Sequence, residues 1–121
     1  MHGAVRDSMK IKSTVDDSIA VIDIEGSLSS EEKMAFEMEL GAYIDTKCHV
    51  VLELSKVNFI DSSCIGTIVK FYTMFRKMGR YLLLVNISPQ ISEVFNLTGL
   101  TRQIQLFEST QGAVDFIRGN S

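Results

Sequence analysis

Leu82-Leu83-Leu84-Val85 is a run of four successive apolar side chains. Successive side chains of an extended chain point to opposite faces, so a strand built from this run is apolar on both. Such a strand belongs in the middle of a sheet covered on each side, which is typical of parallel strands joined by helices.

The rest of the chain supplies the elements for that arrangement. Residues 9–15 and 19–25 are rich in β-branched side chains, and Asp16-Asp17-Ser18 between them is a turn signal, so the pair reads as a hairpin. In its second strand Ala20, Ile22 and Ile24 point one way, Asp23 and Glu25 point the other, and Gly26 is expected to end it. Ser29 with Glu32 fits a capping box, and Phe36, Leu40, Tyr43 and Ile44 form one helical face between residues 30 and 46. Residues 50–54 read as a short, mostly apolar strand. Asp61-Ser62-Ser63 caps the next helix. Its inward side is Ile65, Ile68, Val69, Tyr72 and Phe75, and Gly79 stops it. Ser88-Pro89 opens a further helix carrying Ile91, Val94 and Phe95, which ends before Gly99. Residues 104–107 read as a last strand. The last helix follows Ser109 or Thr110, with Ala113, Phe116 and Ile117 inward. The order β-β-α-β-α-β-α-β-α defines an α/β fold: a mixed sheet, N-terminal hairpin first and parallel strands after it, flanked by about four helices. Whether these lie on both faces or mainly one is left open.

A length of 121 residues is one domain's worth, and a single proline with no Gly/Ser-rich tract leaves no linker. Residues 1–8 are expected to be a flexible N-terminal extension. With 45% hydrophobic and 22% charged residues, a folded core is expected. Twelve basic against fifteen acidic residues give a net charge of -3, which argues against direct, electrostatic nucleic-acid binding. No apolar run approaches the ~18 residues of a membrane span. The start, Met1-His2-Gly3-Ala4-Val5-Arg6, has no signal-peptide core, so a cytoplasmic location away from membranes is expected. Cys48 and Cys64 cannot build a disulfide framework, and a metal site would need both to converge with His49. Two ordinary buried thiols are the simpler expectation, and no metal or cofactor is expected.

The stretch that carries chemistry is Val57-Asn58-Phe59-Ile60-Asp61-Ser62-Ser63-Cys64-Ile65-Gly66, which joins a strand to a helix. It sets two hydroxyls and a carboxylate at a helix N-terminus, where backbone N–H groups lack partners. In the plainer reading Asp61 or Ser62 is only the N-cap. In the sharper one, Ser62 or Ser63 is covalently modified. A phosphate there meets free N–H groups and the positive end of the dipole, and adds about -1.5 to -2 charge to a binding surface without unfolding the domain. Catalysis is not expected. Neither serine lies in a G-x-S-x-G elbow, and His49 precedes a strand, away from Ser63. No phosphate-binding or dinucleotide glycine motif is present. Cys64, in the first helical turn, is a minor candidate for a lowered thiol pKa.

The run Phe59-Ile60-Asp61-Ser62-Ser63-Cys64-Ile65-Gly66 resembles the D-S-S-G-L-G signature of bacterial STAS domains, the anti-sigma factor antagonists. The resemblance extends over nearly the whole chain. Gly26-Ser27-Leu28, Leu52-Glu53-Leu54-Ser55, Asn86-Ile87-Ser88-Pro89 and Leu97-Thr98-Gly99-Leu100 fall where that family has similar residues. It implies a phosphorylation-controlled binding protein that engages an anti-sigma factor serine kinase and so frees a sigma factor. It also implies phosphorylation at Ser63, reversed by a serine phosphatase. Asp61, Ser62, Cys64 and Gly66 are then the helix cap and partner contact, with Ser27, Ser29, Thr67, Phe71 and Met74 as the adjoining patch.

Two departures from the family pattern stand out. Cys64 replaces a usual glycine and is expected to crowd the surface beside Ser63. Ser27-Leu28-Ser29-Ser30 lacks the acidic residues that many relatives use to contact the kinase. On the helix after Ser63, Cys64, Phe71, Met74 and Met78 form a second apolar stripe, wider than a one-sided surface helix needs. The stripe reads either as covered by neighbouring helices or as a partly exposed contact patch, and it permits a homodimer without requiring one. The alternative to the switch is a constitutive STAS scaffold or adaptor subunit of a stress-signalling or transport complex.

Overall fold

The computed structural model describes residues 9–120, so the expected extension at 1–8 lies outside the described residues. Five strands form one sheet in the order β1-β2-β3-β4-β5, namely Lys10–Asp16, Ile19–Leu28, His49–Ile60, Leu82–Val85 and Leu106–Phe107. Four helices accompany them: α1 (Lys33–Gly41), α2 (Ser62–Lys77), α3 (Pro89–Thr98) and α4 (Thr110–Asn120). β1 and β2 are antiparallel, from Lys10 opposite Glu25 to Asp16 opposite Ile19, and every later pair is parallel. Asp17 and Ser18 both take positive φ (49° and 69°), as a two-residue hairpin turn requires. The α/β class, the mixed sheet and the order of elements are those expected.

All four residues of β4 are buried. Leu82 and Leu84 join Ala20, Ile22, Ile24, Leu52 and Leu54 in the main core, beneath Phe36, Ile68, Phe75 and Phe95 of α1–α3. Leu83 and Val85 face the other way, with Ile19 and Val51, and are covered by Ala113 and Ile117 of α4. The sequence left this distribution open, and the topology explains it. Each of α1, α2 and α3 links neighbouring parallel strands stepping in the same direction, so a common crossover hand puts all three on one face.

Several boundaries differ from expectation. β2 does not end at Gly26 but runs on to Leu28, with Gly26 at φ 100°. Asp23 pairs with Glu53 but Glu25 with Lys56, and Gly26 pairs with Val57 but Ser27 with Phe59. Each step inserts an extra residue in β3, a bulge that breaks two-residue alternation and hides the strand after Leu54. Ser29 makes no side-chain capping bond, so the capping box is not formed. Ser30–Glu32 is a 3-10 turn, and α1 spans only Lys33–Gly41 instead of reaching residue 46. The loop beyond α1 is held by Arg80, whose guanidinium donates to the carbonyls of Tyr43 (2.8 Å), Ile44 (2.6 Å), Thr46 (2.7 Å) and Cys48 (2.9 Å) while lying over the Phe75 ring. β5 is shortened to Leu106–Phe107, although Ile104 is still buried.

The later helices are capped as read. Ser88 accepts from Ile91 N–H (3.3 Å), Ser109 accepts from Gly112 N–H (2.9 Å), and Gly79 and Gly99 take positive φ beyond the ends of α2 and α3.

Candidate functional site

β2 and β3 finish side by side, where Asp61 N–H donates to Leu28 O at 2.8 Å and the chain turns into α2. Asp61 is extended and caps the helix, its Oδ1 accepting from Ser63 N–H at 2.7 Å. The Ser63 hydroxyl and N–H, outweighing slight desolvation, hold the Asp61 carboxyl below its ordinary pKa. Ser62 is exposed. Ser63 is half-buried, and its Oγ is covered without a well-formed hydrogen bond, although it lies close enough to Asp61 to favour the carboxylate. Gly66 faces solvent one turn on, and a methyl group at its Cα would meet nothing within 4 Å. Ser27, half-buried, donates its hydroxyl to Asn58 Oδ1 at 2.9 Å, beside Phe59.

The structure withdraws three residues from the expected contact surface. Cys64 is fully buried, its Sγ 3.4 Å from Ser29 O, so it packs beneath the half-buried Ser29 and does not crowd the surface by Ser63. Burial raises its thiol pKa, the reverse of an activated cysteine. Thr67 is buried between α1 and α2, its hydroxyl contacting Ser63 O (3.2 Å) and Glu37 Oε2 (3.3 Å), the latter also held by Lys70. Phe71 is buried as well, its ring next to Gly41 of α1. Of the second stripe only Met74 (37%) and Met78 (43%) remain exposed.

One exposed residue was not singled out from sequence. Phe59 is 50% exposed at the end of β3, immediately before the Ile60-Asp61 turn. Plain alternation would set Phe59 and Val57 on the same face. The bulge between them turns Phe59 outward and leaves Val57 buried.

His49 opens β3 and Ser63 follows its far end, roughly 35 Å away along the strand. Its Nδ1 accepts from Tyr81 N–H (3.0 Å), and burial, then the nearby Arg80 charge, lower its pKa. The geometry excludes a Ser63–His49 pair. Cys64 likewise lies at the opposite end from Cys48 and His49. Among the described residues no group of three or more His, Cys, Asp or Glu is placed to hold a metal ion, and no helix is long and apolar enough to cross a membrane.

The STAS domain model matches residues 10–113, and the chain belongs to the STAS domain family. Among curated relatives, the anti-sigma F factor antagonist of Paenibacillus polymyxa is 21% identical over 79% of this chain and 84% of its own. Among solved structures, an anti-sigma factor antagonist from Mycobacterium paratuberculosis superposes with a TM-score of 0.85 at 22% identity, covering 95% of this chain and 98% of that one. The anti-sigma factor antagonist SpoIIAA in its unphosphorylated form gives 0.78 at 20% identity, covering 94% and 99%. The Bacillus SpoIIAA phosphorylated form gives 0.69 at 19%, covering 91% and 99%. The curated relatives matched carry names of anti-sigma factor antagonists, which are regulatory proteins.

Proposed function

We propose that this chain is a cytoplasmic anti-sigma factor antagonist switched at Ser63. Unmodified, it docks the surface formed by Asp61, Ser62, Gly66 and Phe59 on an anti-sigma factor that is also a serine kinase, so freeing a sigma factor. Phosphorylation of Ser63 ends the contact, and a serine phosphatase restores it.

The observation that carries this reading is the Ser63 hydroxyl, which lies in the first turn of α2 without a well-formed hydrogen bond. A covered hydroxyl gains little by staying in place when it has no good partner. Rotation about its side-chain bond, in a residue only half-buried, brings it out to a kinase. A phosphate so placed lies at the positive end of the α2 dipole, although Asp61 already occupies the Ser63 N–H with its carboxylate and the Cys64 N–H with its carbonyl. Burying that dianion against a partner without a matching cation costs several kcal/mol, and each 1.4 kcal/mol is a tenfold loss of affinity.

Ser63→Asp should therefore weaken binding to the anti-sigma kinase at least tenfold, while Ser63→Ala keeps it bound. Equal affinities of the two variants would defeat the switch.

The constitutive scaffold is favoured by one feature: Ser63 Oγ is covered in the resting conformation. Incubation with ATP and the kinase separates the readings by intact mass. One phosphate on Ser63 supports the switch, whereas none, with stable stoichiometric assembly, supports the scaffold.

A further inference from the structure

At the far end of α2 from Ser63, two surface grooves share Tyr72 and Arg76 and so form one continuous trough. The trough runs from Tyr81 and Gln105 across the end of α2 to Lys77, Arg102 and Gln103. Arg76 and Lys77 come from the last turn of α2, and Arg102 from the 3-10 turn Leu100–Arg102 that follows α3.

Basic side chains in a last helical turn are ordinary partners of the helix dipole. Arg102 has no such excuse: it reaches the trough from a different element. None of the three has a carboxylate within ion-pairing distance among the described residues, and no acidic side chain lines either groove. In a chain of net charge -3 this is a local excess of positive charge with no carboxylate partner among the described residues. Arg80, at the same end, is different, because its guanidinium is consumed by backbone carbonyls.

We infer that this trough is a docking surface for an acidic, extended segment of a partner protein. The shape argues for a chain segment over a small anion. Small-molecule sites enclose most of their ligand, whereas this trough is open along its length. Arg76, Lys77 and Arg102 line one half of it from two different elements, and the other half, with Tyr81 and Gln105, leaves room for a chain to continue past them. The side-chain amides of Gln103 and Gln105 and the hydroxyls of Tyr72 and Tyr81 supply polar groups for a polypeptide backbone. The surface lies ~20 Å along α2 from Ser63. It can therefore be occupied whether or not the Ser63 pole is engaged, and it does not rest on the Ser63 reading.

The test is titration of the ¹⁵N-labelled full chain with a capped peptide of about eight glutamates, ~26 Å when extended. A glutamine peptide of equal length, ATP and a single-stranded oligonucleotide serve as the other arms. The expected result is saturable shifts at Tyr72, Thr73, Arg102, Gln103 and Gln105 with the glutamate peptide alone. Those shifts should weaken with salt and fall at least tenfold in affinity in an Arg76→Glu/Arg102→Glu variant that keeps the wild-type amide spectrum elsewhere. Should that variant fail to fold, Arg102→Gln, an exposed single change, is expected to lower affinity severalfold. Absence of shifts at millimolar peptide, shifts confined to other surfaces, unchanged affinity in the variants, or tighter binding of ATP or the oligonucleotide would each overturn the inference.

Discussion

Gly66→Ala separates what the fold requires at the start of α2 from what binding requires there. Gly66 is the fifth residue of α2, lies outside the set of positive-φ glycines and faces solvent. An added methyl group would touch nothing within 4 Å, so no steric cost opposes the substitution. Glycine is about 1 kcal/mol worse than alanine inside a helix, mainly because the unfolded chain loses more freedom on folding. The variant should thus gain ~0.8–1 kcal/mol. At about 2.1 cal/mol/K of unfolding entropy per residue, a domain of this length should melt roughly 4 °C higher. Urea unfolding followed by circular dichroism should show the midpoint rising with the slope unchanged. A lowered or unmoved midpoint would refute the reasoning, since it would mean that the site is strained or crowded after all. The binding arm is read on the same protein. If the open space over Gly66 admits a partner, affinity for the anti-sigma kinase falls at least tenfold while stability rises. Stabilisation with unchanged affinity would remove Gly66 from the contact surface.

Arg80→Ala strips donors from four loop carbonyls and should cost about 2–3 kcal/mol of unfolding free energy, with Arg80→Lys recovering only part, both read by urea denaturation. Phe59→Ala should leave stability within about 1 kcal/mol of wild type, because the ring is half exposed, yet weaken partner binding at least tenfold by calorimetry. Glu53 supplies a pH dependence. Burial pushes its carboxyl up, but hydrogen bonds from Ser55, Asn86 and Thr110 outweigh burial and hold it below the ordinary 4.5. A depressed folded-state pKa contributes stability above the unfolded value that is lost as pH falls through the folded one. The urea midpoint should therefore decline below about pH 4.5, and more shallowly in Glu53→Gln.

Most of the architecture could be read from the order of residues, because it rests on local signals. The doubly apolar Leu82–Val85 run, the Ser88-Pro89 start and the glycines at 79 and 99 each act within a few neighbours, and each behaves as read. What misled were features set by distant partners. The length of β3 depends on two bulges against β2, which no single-strand periodicity reveals. The early end of α1 is tied to a loop fastened by Arg80, more than thirty residues on. At the candidate site, Asp61 as cap was legible since it bonds two residues ahead. Cys64, Thr67 and Phe71 looked available only because their cover, Ser29 over Cys64 and α1 over the other two, is a tertiary contact. Phe59 escaped notice for the related reason that a bulge decides which way it points.

The lopsided placement of helices has a dynamic corollary. Among the described residues α4 is the one helix over its side of the sheet, resting on Ile19, Val51, Leu83 and Val85, whereas α1, α2 and α3 share one large continuous cluster. Partial opening favours the element with the fewest buried attachments. Brief detachment of α4 would then wet one side of the central strands while leaving the opposite layer, and the Asp61–Ser63 cap with it, intact.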